Sequence, residues 1–166
     1  MRTLTIEPMR VLTFNPIRNL LLSKMSHPTC ACLNATLRGE IAIARAHRHV
    51  VDHLHVYPFK DALLTCQESH GQRVERLRAL ILAQGGAPAA SSGLLGKCLS
   101  GLSQVTVRIS ESLAIRLLRV HEELLQWAYR NRAHHLNEEA RRVLDSEVLP
   151  MQEATRATLR GLLGRL

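Results

Sequence analysis

Glu40 is followed seven residues later by His47, and Glu122 seven residues later by Tyr129. Gln67-x-x-His70 leads into Val74 and Leu77, and Gln152-x-x-Thr155 leads into Leu159 and Leu162. Steps of three, four and seven bring side chains to one face of an α-helix. Each half of the chain therefore reads as a helical hairpin, with one carboxylate on its first helix and a Gln-x-x-(His or Thr) on its second. A repeat of this kind sets the architecture. The residue types matter as much as the spacing. Carboxylates and imidazoles ligate metals and carry protons, whereas amides and hydroxyls mostly hydrogen-bond. Polar groups on a buried line need partners, and these groups can supply one another.

The elements that must hold them follow from the apolar periodicity. Leu33, Leu37, Glu40, Ala44, His47, Val51 and Leu54 form one face of a helix over residues 29–56. Gly39 weakens that helix by about 1 kcal/mol relative to Ala, and close approach of a neighbouring helix is the usual reason for such a residue. Tyr57-Pro58-Phe59 makes a short break. A second stripe of Leu63, Gln67, His70, Val74, Leu77 and Ile81 then runs to a stop at Gly85-Gly86. A third helix, over about 100–132, carries Ile115, Leu118, Glu122, Leu125 and Tyr129 on one line. The fourth opens at Asn137 with Glu138 and Glu139 in its first turn and runs to about 164. Its buried line is Leu144, Val148, Gln152, Thr155, Leu159 and Leu162, and Pro150 must kink it or break its bond ladder. Residues 85–98 read as a linker. Extended, they reach roughly 45 Å, about the length of a 27-residue helix. Such a linker runs the height of a bundle and makes helices two and three parallel.

Length and composition bound the rest. At 166 residues, rich in Leu, Ala, Arg and Glu, the chain suits one all-helical domain with a sizeable core. No apolar run reaches the ~18 residues of a membrane helix. Of the formal charge of +8, residues 1–27 hold +3, from Arg2, Arg10, Arg18 and Lys24 against Glu7. The remainder is spread along the body. Only five aromatic residues are present, which leaves little for base stacking, so no specific nucleic-acid partner is expected. Cys30, Cys32, Cys66 and Cys98 have neither Cys-x-x-Cys nor disulfide-framework spacing and read as reduced thiols of a cytoplasmic protein, with Cys66 a small buried hydrophobe. Residues 1–27 lack the features of a secretory signal and read as a disordered, dispensable extension, with Met25 as an alternative start, ahead of a domain over 28–166. His49 and His53 read as solvated histidines on the outer face of helix one. Trp127, Tyr57 and Phe59 read as core or dimer contacts.

Four stretches carry a resemblance to a known group: Leu33-Asn34-x5-Glu40, Arg73-Val74-x2-Leu77-x3-Ile81-x3-Gly85-Gly86, Glu122-x6-Tyr129 and Leu149-Pro150-x-Gln152. Over residues 30–164 or so, the chain resembles the ferritin-like superfamily, and within it an uncharacterised bacterial ferritin-like family, a domain of unknown function. The resemblance implies an all-α, ferritin-like four-helix bundle of two helical hairpins joined by a long crossover. Di-iron members of that superfamily carry a Glu on each of two helices and a Glu-x-x-His on each of the other two. By that pattern Glu40 and Glu122 match the lone carboxylates and His70 one histidine. Gln67 and Gln152 stand where bridging glutamates belong, and Thr155 where the second histidine belongs. Gln and Thr are poor iron ligands, so ferroxidase chemistry is not expected.

The expectation is thus a ferritin-like bundle with a degenerate di-metal site and no cofactor. It is non-enzymatic and acts by binding a protein partner or by homo-oligomerising, in a stress or storage setting. Glu40 and Glu122 should face each other with His70 beside them. Without a metal, the cluster must neutralise itself, by a proton shared between carboxylates or by a protonated His70 bridging them. The alternative is a metal-binding protein or oxidase holding iron or another divalent metal on Glu40, His70 and Glu122, with His47, Gln67, Gln152, Thr155 and Tyr129 as neighbours.

Overall fold

Pro28, whose missing N–H costs nothing in a first turn, opens helix α1 (Pro28–His53). Helix α2 spans Tyr57–Ala83 and ends where Gly85 turns to φ 72° and the Gly86 N–H donates to the Ile81 carbonyl at 2.9 Å, a glycine-dependent stop. The computed structural model describes residues 28–54 and 57–165. The predicted extension, residues 1–27, lies outside them. The described residues are helical with no strand.

Helix three of the sequence reading is two helices. Helix α3 (Gly93–Ile109) begins inside the predicted linker, and α4 (Glu111–Ala133) follows after the single extended residue Ser110, whose side chain accepts from the Leu113 N–H. The linker shrinks to residues 84–92. A glycine-rich composition argued for coil there, but packing of α3 along α1 and α4 wins. The fourth helix is also interrupted. Helix α5 (Glu138–Val143), capped by Asn137 accepting from the Ala140 N–H at 2.9 Å, passes into a π-helical segment, Leu144–Val148, and then into α6 (Leu149–Leu163). The Leu149 N–H reaches the Leu144 carbonyl, one residue further back than in an α-helix. Pro150 therefore stands in the first turn of α6, where it needs no donor, and the expected disruption appears as a widened turn before it.

Side-chain contacts fix the directions. Cys30 pairs with the Gln84 carbonyl and Glu40 with His70, so α2 runs against α1. Thr29 pairs with the His135 carbonyl and Glu40 with Tyr129, so α4 also runs against α1 and parallel to α2. Asn137 meets Gln84 and Thr155 meets Ser69, so the α5–α6 run opposes α2. Between α2 and α4, the chain climbs α1: Ala87 and Ala89 bond the Asn34 amide, and α3 starts near Ala42 and Arg45. A Cβ on Gly39 would stand 3.1 Å from Leu125 of α4, the close approach that the glycine permits.

Two apolar layers fill the interior. One contains Leu33, Leu37, Leu77, Ile81, Leu125 and Leu144, and the other Val50, Val51, Leu63, Ile115, Leu118 and Leu159. On α1, α2, α4 and α6 the predicted lines are buried except at Ala44 and Gln67. Between the layers, at mid-height, lies a band of polar side chains.

Candidate functional site

That band is built from one residue per turn on the inward faces of three helices. Glu40 of α1, His70 and Arg73 of α2 and Glu122 of α4 are all 0% exposed. His70 Nδ1 lies 2.8 Å from Glu40 Oε2, and its Nε2 lies 2.8 Å from Glu122 Oε1. A carboxylate at each nitrogen favours the doubly protonated, cationic imidazole. Arg73 Nε stands 3.2 Å from Glu40 Oε1, and its Nη2 3.6 Å from Glu122 Oε1. Tyr129 of α4 donates its hydroxyl to Glu40 Oε1. Two anions thus face two cations, and the cluster is neutral when all four are charged.

Protonation follows from the same geometry. Burial alone would push the Glu40 carboxyl up, but Arg73 and the His70 hydrogen bond outweigh it and hold it below its ordinary 4.5. Burial alone would push His70 down, but its close contacts with the Glu122 and Glu40 carboxylates raise it above 6.5. Tyr129 is raised well above its usual value by burial and by Glu40, so it remains a donor. Arg73 Nη2 also approaches His70 Nδ1 to 2.6 Å, so a His70 that lost a proton would find a new donor waiting.

The neighbours divide into partnered and unpartnered. Gln152 donates its amide to the Glu122 backbone carbonyl at 2.9 Å, leaving Oε1 without a partner. Thr155 bonds Ser69 and the Met151 carbonyl. His47, with its ring centroid 4.5 Å from that of His70, and His121 are buried with neither ring nitrogen hydrogen-bonded. Burial holds both below 6.5, aided for His47 by His70 and Arg73, so both rings are neutral near neutral pH. Cys66 is buried beside the band, its thiol pushed up to about 12 by burial and Glu122, too high to act as a thiolate.

The structure brings Glu40, His70, Glu122, His47, Tyr129 and Gln152 together and sets Thr155 at the edge, on Ser69. Gln67 departs from the sequence reading. It is half-buried and lines two outer grooves with Gly71 and Glu75, because the α2 row that faces inward at this height passes through Cys66, His70 and Arg73. Trp127, read as a core or dimer contact, is not in the core, with 65% of its surface exposed. His53 is exposed and its Nδ1 meets the His49 carbonyl at 2.8 Å. Arg73 and His121 were missed. Arg73 stands three residues beyond His70, a spacing that shares a helix face, and that was its signal.

A metal could draw on His47, His70 and Glu122, each of which offers a ligand atom within 4.8 Å of the others. The residues do not suit a pair of metal ions. Both His70 nitrogens and Glu40 are engaged, and a guanidinium stands against both carboxylates. Three surface cavities are lined by none of Glu40, His70, Arg73 and Glu122, so none of the three opens onto the cluster. Among known proteins, no family model matches this chain, and no curated protein or solved structure is significantly similar to it.

Proposed function

We propose that this chain is a ferritin-like bundle whose di-metal site has given way to a charge-balanced ion cluster, and that it works without catalysis, by self-association or by binding a protein partner. One observation carries the reading: Arg73 stands 3.2 Å from Glu40 and 3.6 Å from Glu122 and brings the positive charge that metal ions bring elsewhere. A stress or storage setting fits a bundle of this type. The antiparallel hairpins, with α2 and α4 parallel, favour the ferritin-like arrangement. None of the described helices is long and apolar enough to cross a membrane. A second reading, a metal-binding protein or oxidase, draws on the free nitrogens of His47 beside His70 and Glu122. Elemental analysis of protein purified without a histidine tag separates the two. The first expects no transition metal approaching one ion per chain and no change in thermal midpoint with a chelator. Stoichiometric metal, or a chelator-dependent loss of stability, would overturn it in favour of the second.

A further inference from the structure

Helix α4 has two apolar faces. Its inner face, Ala114, Ile115, Leu118, Leu125 and Tyr129, is spent on the core. Its outer face carries Leu113, Leu117, Val120, Leu124 and Trp127, spaced by four, three, four and three. That is the seam spacing of a coiled coil. Four of the five are exposed, and Leu117 is half-buried. Next to the start of this seam, α3 ends on Ile109, which is 70% exposed, with Val105 and Leu102 exposed one and two turns earlier. Of the large apolar side chains exposed among the described residues, all but Leu64 and Leu82 lie on these two helices, and such a concentration marks an interaction surface.

We infer that the outer face of α4 is the interface between two copies of this chain, packed antiparallel about a two-fold axis near Leu118 and Arg119. The inference rests on the self-association reading above and assigns it a surface. The flanking charges select the partner. Arg116, Glu123 and Arg130 line one edge of the seam at seven-residue intervals. An antiparallel pairing that sets Leu117 against Val120, and Leu113 against Leu124, brings Arg116 of each copy beside Glu123 of the other, twice by symmetry. The next register, one heptad along, sets Glu123 near Glu123 and Arg116 near Arg130, so like charges oppose it. A single two-fold pairing is therefore both apolar in its core and charge-complementary at its edge, as an isologous contact requires. Glu123 already meets Arg119 of its own helix at 3.0 Å, on one carboxylate oxygen, which leaves the other for the partner. The same pairing sets Trp127 against the N-terminal end of α4 of the other copy, at Ser110.

Sedimentation equilibrium of the full chain tests this, with the single tryptophan as a second probe. The expected result is a dimer, with Val120→Glu monomeric and its helical circular dichroism and thermal midpoint close to those of the monomeric parent at low concentration. Arg116→Glu and Glu123→Arg should each weaken the dimer about tenfold, and the double exchange should restore it. Trp127 emission should shift to the red on dilution. A chain that stays monomeric would overturn the inference, and so would binding to anionic vesicles by a monomer, which would make the face a membrane surface. A dimer indifferent to Val120→Glu would place the interface elsewhere. Failure of the double exchange to restore association would overturn the antiparallel register. None of these outcomes bears on the ion cluster, whose metal content elemental analysis reads independently.

Discussion

The α1–α2 hairpin brings every positive charge in the central band, and the hairpin of α4 with α5 and α6 brings none. Glu40 and Glu122 hold matching places in the two halves. Six residues beyond Gln67 stands Arg73, and six beyond Gln152 stands Thr158. Likewise His70 corresponds to Thr155. In the first hairpin these positions reach across the interior to both carboxylates. In the second, Thr155 and Thr158 bond carbonyls one turn back on their own helix. The difference teaches that two buried carboxylates need cations from only one side. Once Arg73 and His70 balance Glu40 and Glu122, a second set would leave a net positive charge in a dry interior.

The largest break in this asymmetry is Arg73→Met, which keeps the volume of the stem and removes the charge. A buried ion cluster that loses one partner is destabilised by about 3–5 kcal/mol. Denaturant unfolding should show that loss, and Thr158→Ala, at the corresponding place, should cost well under half as much. Equal losses at the two positions would mean that Arg73 acts by packing rather than by charge.

His70→Ala comes next, at about 2–4 kcal/mol, from the cavity and from carboxylates that lose a cationic partner. It also changes the pH profile. A group whose folded pKa is raised stabilises fully below its unfolded value, near 6.5, and that contribution fades as pH rises through the folded value. The parent should therefore lose stability on its alkaline limb, and His70→Ala should lose that limb. His47 and His121 act oppositely. Their depressed values give stability that is present above about 6.5 and lost as pH falls. His47→Gln should flatten the acid limb above the range where Glu40 itself takes a proton. Thermal midpoints across pH 4 to 9 check both signs.

Much of this was legible in residues 28–163, and the reasons it was legible also mark where reading failed. Glu40, His70 and Glu122 meet because each interrupts an otherwise apolar line, and lines at matching heights converge in an antiparallel bundle. Arg73 escaped because Val74 beside it completes the stripe. Periodicity does not separate two adjacent rows that are both buried, and an arginine is ordinarily assigned to the solvent side. Helix α3 escaped because local composition around Gly93 and Gly96 favours coil, while its stability comes from packing on α1. The π turn at Leu144–Val148 has no apolar signature, since Leu144 and Val148 keep the spacing of an ordinary helix.

The two carboxylates themselves should differ. Glu40 accepts from His70 and Tyr129 and pairs ionically with Arg73, whereas Glu122 lies near His70 and Arg73 but neither of its oxygens has a well-aligned hydrogen bond. Replacing either with Gln removes one anion, and His70 can then shed its proton and accept from Arg73. Both variants should fold. Glu40→Gln should cost about 1.5–3 kcal/mol, the range for hydrogen bonds to charged groups, and Glu122→Gln less. The reverse order in chemical denaturation would mean that Glu122 carries the cluster.

The smallest effect should come from Thr155→Val. In the hairpin comparison Thr155 holds the place of His70, yet its hydroxyl bonds Ser69 at 3.2 Å and the Met151 carbonyl at 3.1 Å, away from both carboxylates. The Met151 bond runs four residues back along the same helix, a contact that adds little to helix stability. Valine fills nearly the same volume, and Ser69, half-buried, keeps its own reach to the Met151 carbonyl at 3.5 Å. The cost should be about 0.5–1 kcal/mol, that of one neutral hydrogen bond. It should also be the same at every pH between 5 and 9, because no titrating group loses a partner. A pH-dependent loss, or one as large as that of His70→Ala, would show that Thr155 belongs to the ion cluster and that the two hairpins share its work.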